Sequence, residues 1–200
     1  MTAEDVPVHA FQPSQTGDGS VESFSAFLDG VNDMREGLVL GAPVSVDHLT
    51  AMSQVVVHGH VAEVALVRSD VHMGDLSAQQ IEMVITVADP AIVKSSASVT
   101  AVDTWRQQLW LGDPVLAGRV LEMLQAELGS GPVGADAVLF GTIDQTVERS
   151  LPTPSVLDGL ITLDGSVARL APSPETPSDT TQTLDAFSDA RSVVVAIQDR

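Results

Sequence analysis

His58, Gly59 and His60 stand inside the run QVVVHGHVAEVALVR, with Glu63 three residues on and Asp70, Val71 and His72 beyond. Read as one continuous strand, the period of two puts both imidazoles on one face, where a rigid element can offer two nitrogens to a metal. On that reading His58, His60, Asp70 and His72 are the candidate ligands of a divalent cation, and Glu63 points to the opposite face. The same residues also fit a two-residue His-Gly turn between VVV and VAEV, with the imidazoles at a hairpin tip. Both geometries stay open at the level of sequence.

A second pair of chemistry-bearing residues sits in two similar steps, AFLDGV at Asp29 and ITLDGS at Asp164. Carboxylates projecting from neighbouring strands can hold Mg²⁺ or Mn²⁺ and activate water for phosphodiester hydrolysis. In these two steps the chain resembles the NurA-type nucleases. That resemblance implies a ribonuclease H-like domain and metal-dependent hydrolysis, with Asp29 and Asp164 as the catalytic acids. The residues around them support another geometry. Phe24, Phe27, Leu28 and Val31 recur at helical spacing behind Ser20, a possible cap, which would put Asp29 on a solvated helical face. Asp164-Gly165 between ITL and SVARL is a hairpin-turn signal. The chain carries no GxSxG elbow, no glycine-rich phosphate loop with its lysine and no HExxH pair.

Charge narrows the partners. There are 27 acidic residues against nine basic ones, a formal net charge of -18, with Lys94 the single lysine. Stable non-specific nucleic-acid binding rests on Lys and Arg neutralising phosphates, so it is not expected. Docking on an anionic membrane surface is disfavoured for the same reason. With no cysteine, disulfides, thiolate metal sites and thiol nucleophiles are all excluded. The N-terminal MTAEDVPVHAFQPSQTGDG lacks the basic and apolar regions of a secretory signal, and no apolar run reaches the ~20 residues of a membrane span. The expected location is the cytoplasm or a virion assembled there.

The elements that must position these groups follow from pattern and punctuation. The strongest helix lies between Asp113 as cap and Gly129 as terminator, with Pro114 at its first position and Leu116, Val120, Leu121, Leu124 and Leu128 as its apolar stripe. Ser77 and Gln80 form a capping box before IEMVITVA, a run β-branched enough to be a strand instead. On a helix, Trp105 and Trp110 would stand roughly 140° apart, one for the core and one for a rim. Strands are expected over residues 37–46, 54–68, 136–141, 160–170 and in the closing SVVVAI at 192–197, and a short helix over 142–150.

The expectation is an α/β or α+β fold: a single mixed-sheet domain with a few helices over residues 20–170. An acidic arm over 1–19 precedes it. Residues 171–200 follow as a Pro-rich linker carrying a terminal strand suited to pairing with a sheet edge. With no complete catalytic set, the reading favours a non-catalytic structural or assembly subunit, homo- or hetero-oligomeric, in a complex such as a phage or phage-like particle. Its contacts would be the acidic arms and the terminal strand. The alternative is a metal-dependent hydrolase built on Asp29 and Asp164, or an enzyme with a His-ligated metal.

Overall fold

In the computed structural model of the chain, residues 19–34, 45–73, 76–96, 102–143, 154–170 and 184–199 are described. The expected N-terminal arm, the Pro-rich linker, the 142–150 helix beyond Ile143 and most of the 37–46 strand lie outside them. In chain order the elements are α1 (Val21–Met34), α2 (Val46–Met52), β1 (Val55–Met73), β2 (Leu76–Ser95) and β3 (Thr104–Gly112). There follow α3 (Pro114–Leu128), β4 (Asp136–Ile143), β5 (Pro154–Leu163), β6 (Ser166–Arg169), a 3₁₀ turn (Leu184–Ala186) and α4 (Ala190–Gln198).

The sheet runs β3-β2-β1-β4-β5-β6. Three consecutive strands with the fourth returning beside the first make a Greek key. All neighbours are antiparallel, but β3 also meets β5 in parallel through Arg106 and Ser155, which closes five strands into a barrel with β6 as an added edge. This is a single α+β domain with a mixed sheet, as the pattern of Val-rich runs interleaved with helices implied.

Period-two alternation decides what fills the barrel. Val55, Val57 and Val61 of β1, Ile81, Met83 and Ile85 of β2, Trp105 and Leu109 of β3, and Ala137 and Leu139 of β4 point into one continuous core. The amphipathic faces of α1 (Phe24, Phe27, Leu28, Val31) and α3 (Leu124, Leu128) complete it. Both helices begin as their sequences predict. Ser20 Oγ accepts from Ser23 N at 3.1 Å, and Asp113 Oδ1 accepts from Val115 N at 2.8 Å. On α3 the buried stripe includes Ala117, while Val115 and Leu116 face solvent. The Ser77–Asp89 segment is strand, part of β2, and the two tryptophans lie on β3, Trp105 fully buried and Trp110 packed at the edge of the core.

Two expectations are corrected here. The closing SVVVAI is not a strand but lies in helix α4: Asp189 caps it, its carboxylate accepting from Ser192 N at 2.8 Å. Val56, Val138, Phe140 and Leu160 form an apolar outer wall on the barrel. Ala190 and Val193 of α4, Leu184, Phe187, and Val46 and Leu49 of α2 cover it as a second core. Burial of that wall outweighs the modest β preference of the valines. Likewise the end of the expected 37–46 strand is helical, with Ser45 as N-cap accepting from His48 N.

Candidate functional site

β1 runs unbroken through His58, Gly59 and His60, pairing with β4 in regular register (His58 with Val138, Gly59 with Ala137, His60 with Asp136). The His-Gly turn is therefore excluded, and the two imidazoles share the outer face as a strand requires. Gly59 points inward. A Cβ there would lie 2.5 Å from Val87 Cγ1 and 2.8 Å from the Ala88 carbonyl oxygen, so β2 approaches too closely for any side chain. On the β2 side the register slips between His58 and His60, and Asp89, with φ of 50°, absorbs the extra residue.

The row of outward residues through His60 crosses three strands: His60 on β1, Asp136 on β4 and Thr162 on β5. The N-terminus of α4 lies over it. The Ala190 N–H donates to Thr162 Oγ1 at 3.3 Å, and Arg191 Nε lies 3.2 Å from Asp136 Oδ2. Asp136 Oδ1 is 2.9 Å from His60 Nδ1, a close polar contact without hydrogen-bond geometry. Together with the Asp164–Gly165 turn, Ser188 and Asp189, these residues line an open cleft of about 510 Å³. One row further along β1, His58 is half-buried, and desolvation lowers its pKa below 6.5. Asp136 pulls it upward, and Arg191 and His60 push it down. Asp189 is held below its ordinary 3.8 by the Ser192 amide and hydroxyl.

Of the candidate ligands, only His58 and His60 belong to this neighbourhood. Asp70 is ten residues on, about 30 Å of extended chain at ~3.3 Å per residue, where it accepts from Gln79 Nε2 at 2.8 Å. The backbone of His72 pairs with Ser77 still nearer the hairpin tip; its side chain lies outside the described residues. Asp29 is on the exposed side of α1, a helix rather than a strand. Asp164 occupies the β5–β6 turn. The two carboxylates therefore do not project from neighbouring strands. Among the described residues no group of three or more His, Asp or Glu side chains is arranged to hold a metal ion.

Chemically, the cleft is an acidic patch: Asp136 lies between an imidazole and a guanidinium, with two further carboxylates, Asp164 and Asp189, at its rim. Such an arrangement fixes the start of α4 on the barrel wall. Asp136, Thr162 and Arg191 were not singled out by sequence, although Asp189 with Ser192 was a readable N-cap signature. No protein-family model matches the chain, and no curated protein resembles it in sequence. No helix among the described residues is long and apolar enough to cross a membrane.

Proposed function

We propose that the chain is a non-catalytic subunit of a larger protein assembly, which its neighbours join by adding a strand to the free edge of β1. The observation that carries this reading is the length of the β1–β2 hairpin. β1 pairs with β4 only from Val55 to His60 and then meets Ala135 and Gly134 at Val61. From residue 62 to 73 it has β2 on one side and, among the described residues, no strand on the other. An unpaired row of N–H and C=O groups of that length is a template for strand addition.

The rest of the molecule supports the same reading. Among the described residues the barrel interior is filled by packed apolar side chains, as in small barrels rather than in the larger ones that enclose a ligand. Partly open five-stranded Greek-key barrels, the OB type among them, hold oligonucleotides or oligosaccharides over their second and third strands. Here the cations of those strands are engaged within the molecule: Arg106 with Glu82 at 3.0 Å, Lys94 with the carbonyls of Thr50 and Ser53. With a net charge of -18, a protein partner fits better than a polyanion. A phage or phage-like particle is an assembly of the right kind, placing the chain in the cytoplasm during assembly or in the virion after it.

Amide hydrogen exchange on the assembly from native source material, compared with the dissociated chain, tests the proposal. Slow exchange at alternate amides of residues 62–73 in the assembly, lost on dissociation, is expected. A chain that light scattering finds monomeric in that material and at every concentration, with no change in exchange over 62–73, overturns it.

A further inference from the structure

Three Asp-Gly steps fall within the described residues, and the fold treats each differently. The chemistry they share is intramolecular. The glycine amide nitrogen can attack Cγ of the aspartic acid, and its proton leaves with the carboxyl hydroxyl as water. The resulting succinimide is reopened by water. Cleavage of the new N–Cγ bond restores aspartate, whereas cleavage of the original peptide bond leaves the chain running through Cβ as isoaspartate. The net change is an isomerisation without oxidant or co-reactant. It requires a carboxyl able to be protonated, an amide nitrogen free to approach it, and a backbone able to rotate.

At Asp158-Gly159 the protonation and the rotation are both blocked. Asp158 is buried, its Oδ2 held by Arg169 Nε at 3.1 Å and Nη2 at 2.7 Å, and its Oδ1 accepts from the Gly159 amide at 2.8 Å. Leu139, Leu170 and the Val138 carbonyl crowd Gly159, each 2.9 Å from where a Cβ would stand. Asp29-Gly30 lies inside α1, where the glycine amide belongs to the i to i−4 ladder and the backbone cannot rotate without breaking the helix. Asp164-Gly165 is the opposite case. Both residues are exposed, and they form the two-residue turn closed by the Leu163–Ser166 pair. Open space surrounds Gly165, and β6 beyond it has only four residues. Asp164 stands at φ of 50° and Gly165 at 85°, the left-handed pair that an Asp-Gly hairpin turn adopts.

We propose that Asp164-Gly165 is a self-modification site, forming isoaspartate in the folded protein while the fold protects Asp29-Gly30 and Asp158-Gly159. The product lengthens the β5–β6 turn by one methylene and leaves a free α-carboxylate on the wall of the cleft that holds His60, Asp136 and Arg191. The modification is thus an age mark placed at the seat of α4.

The test incubates the full chain in mildly acidic buffer, folded and in parallel in urea. Isoaspartate is read by methyl transfer from an isoaspartyl O-methyltransferase and by peptide mapping for isomers of unchanged mass. In the folded chain the isomer is expected at Asp164 and not at Asp29 or Asp158, whereas in urea all three react. Asp164→Glu, whose ring closure would need six members, should lose the folded-state signal at this step with an unchanged circular dichroism spectrum. Isomer at Asp29 or Asp158 keeping pace with Asp164 in the folded chain overturns the proposal. So does a silent Asp164 in the folded chain, whether or not the urea-treated chain reacts, or a signal that survives Asp164→Glu in the peptide spanning this turn.

Discussion

Replacing Arg169 by Met should destabilise the protein severely, because it strands a charge inside the β5–β6 hairpin. Asp158 is 3% exposed and Arg169 8%, so neither charge has water to fall back on. The guanidinium makes two hydrogen bonds to one carboxylate oxygen, at 2.7 and 3.1 Å. The methionine chain fills much of the volume but donates nothing, so Asp158 loses both guanidinium hydrogen bonds and its buried counter-charge. Breaking a buried pair from one side costs about 3–5 kcal/mol, against a total stability on the order of 5–15 kcal/mol. With a urea dependence of roughly 1–3 kcal/mol per molar, the unfolding midpoint should fall by at least about 1 M, followed by the fluorescence of Trp105 and Trp110. The double variant Asp158→Leu/Arg169→Met removes both charges and should recover most of the loss, since an apolar replacement of a buried pair is often neutral. A loss under about 1 kcal/mol for the single variant, or a double variant costing the sum of the two singles, would refute the reasoning.

Two further outcomes follow from the site. Gly59→Ala drives a methyl into Val87 and the Ala88 carbonyl and should cost about 1–3 kcal/mol in the same titration; an unchanged midpoint would mean that β1 and β2 do not approach as closely as described. His58 takes up its proton below 6.5 in the folded chain because of burial. The unfolded chain therefore binds more protons as pH falls from about 6.5 towards that lowered value. Stability should decline across this window and level off below it. His58→Gln should flatten that segment of a stability-against-pH curve, and a slope identical to the parent's would remove His58 as its source.

Where local chemistry and tertiary packing agree, the elements were legible. Ser20 before the Phe24, Phe27, Leu28, Val31 stripe, and Asp113-Pro114 with Gly129, marked α1 and α3 because caps and apolar spacing act within a few residues. Asp164-Gly165 was legible as a turn for the same reason. The closing valines look strand-like in sequence because their neighbours in space are not visible there: Val138, Phe140 and Leu160 need a cover, and a capped helix supplies it with Ala190 and Val193. The candidate site shows the same divide. His58 and His60 could be placed on one face once β1 was continuous, but Asp136 and Arg191 stand far from them in sequence.

The sequence by itself determined the charge balance and the local geometry: the acid excess, the absence of cysteine, the helix caps and the two-residue turn are properties of residue type and short spacing. Only the tertiary structure decided that β1 passes straight through His58 and His60 with, among the described residues, no strand opposite β2 from residue 62 to 73, and that Asp29-Gly30, Asp158-Gly159 and Asp164-Gly165 stand in different surroundings. Those outcomes depend on barrel closure, which brings together strands separated by tens of residues and chooses which backbone and side-chain groups are buried against one another and which face water.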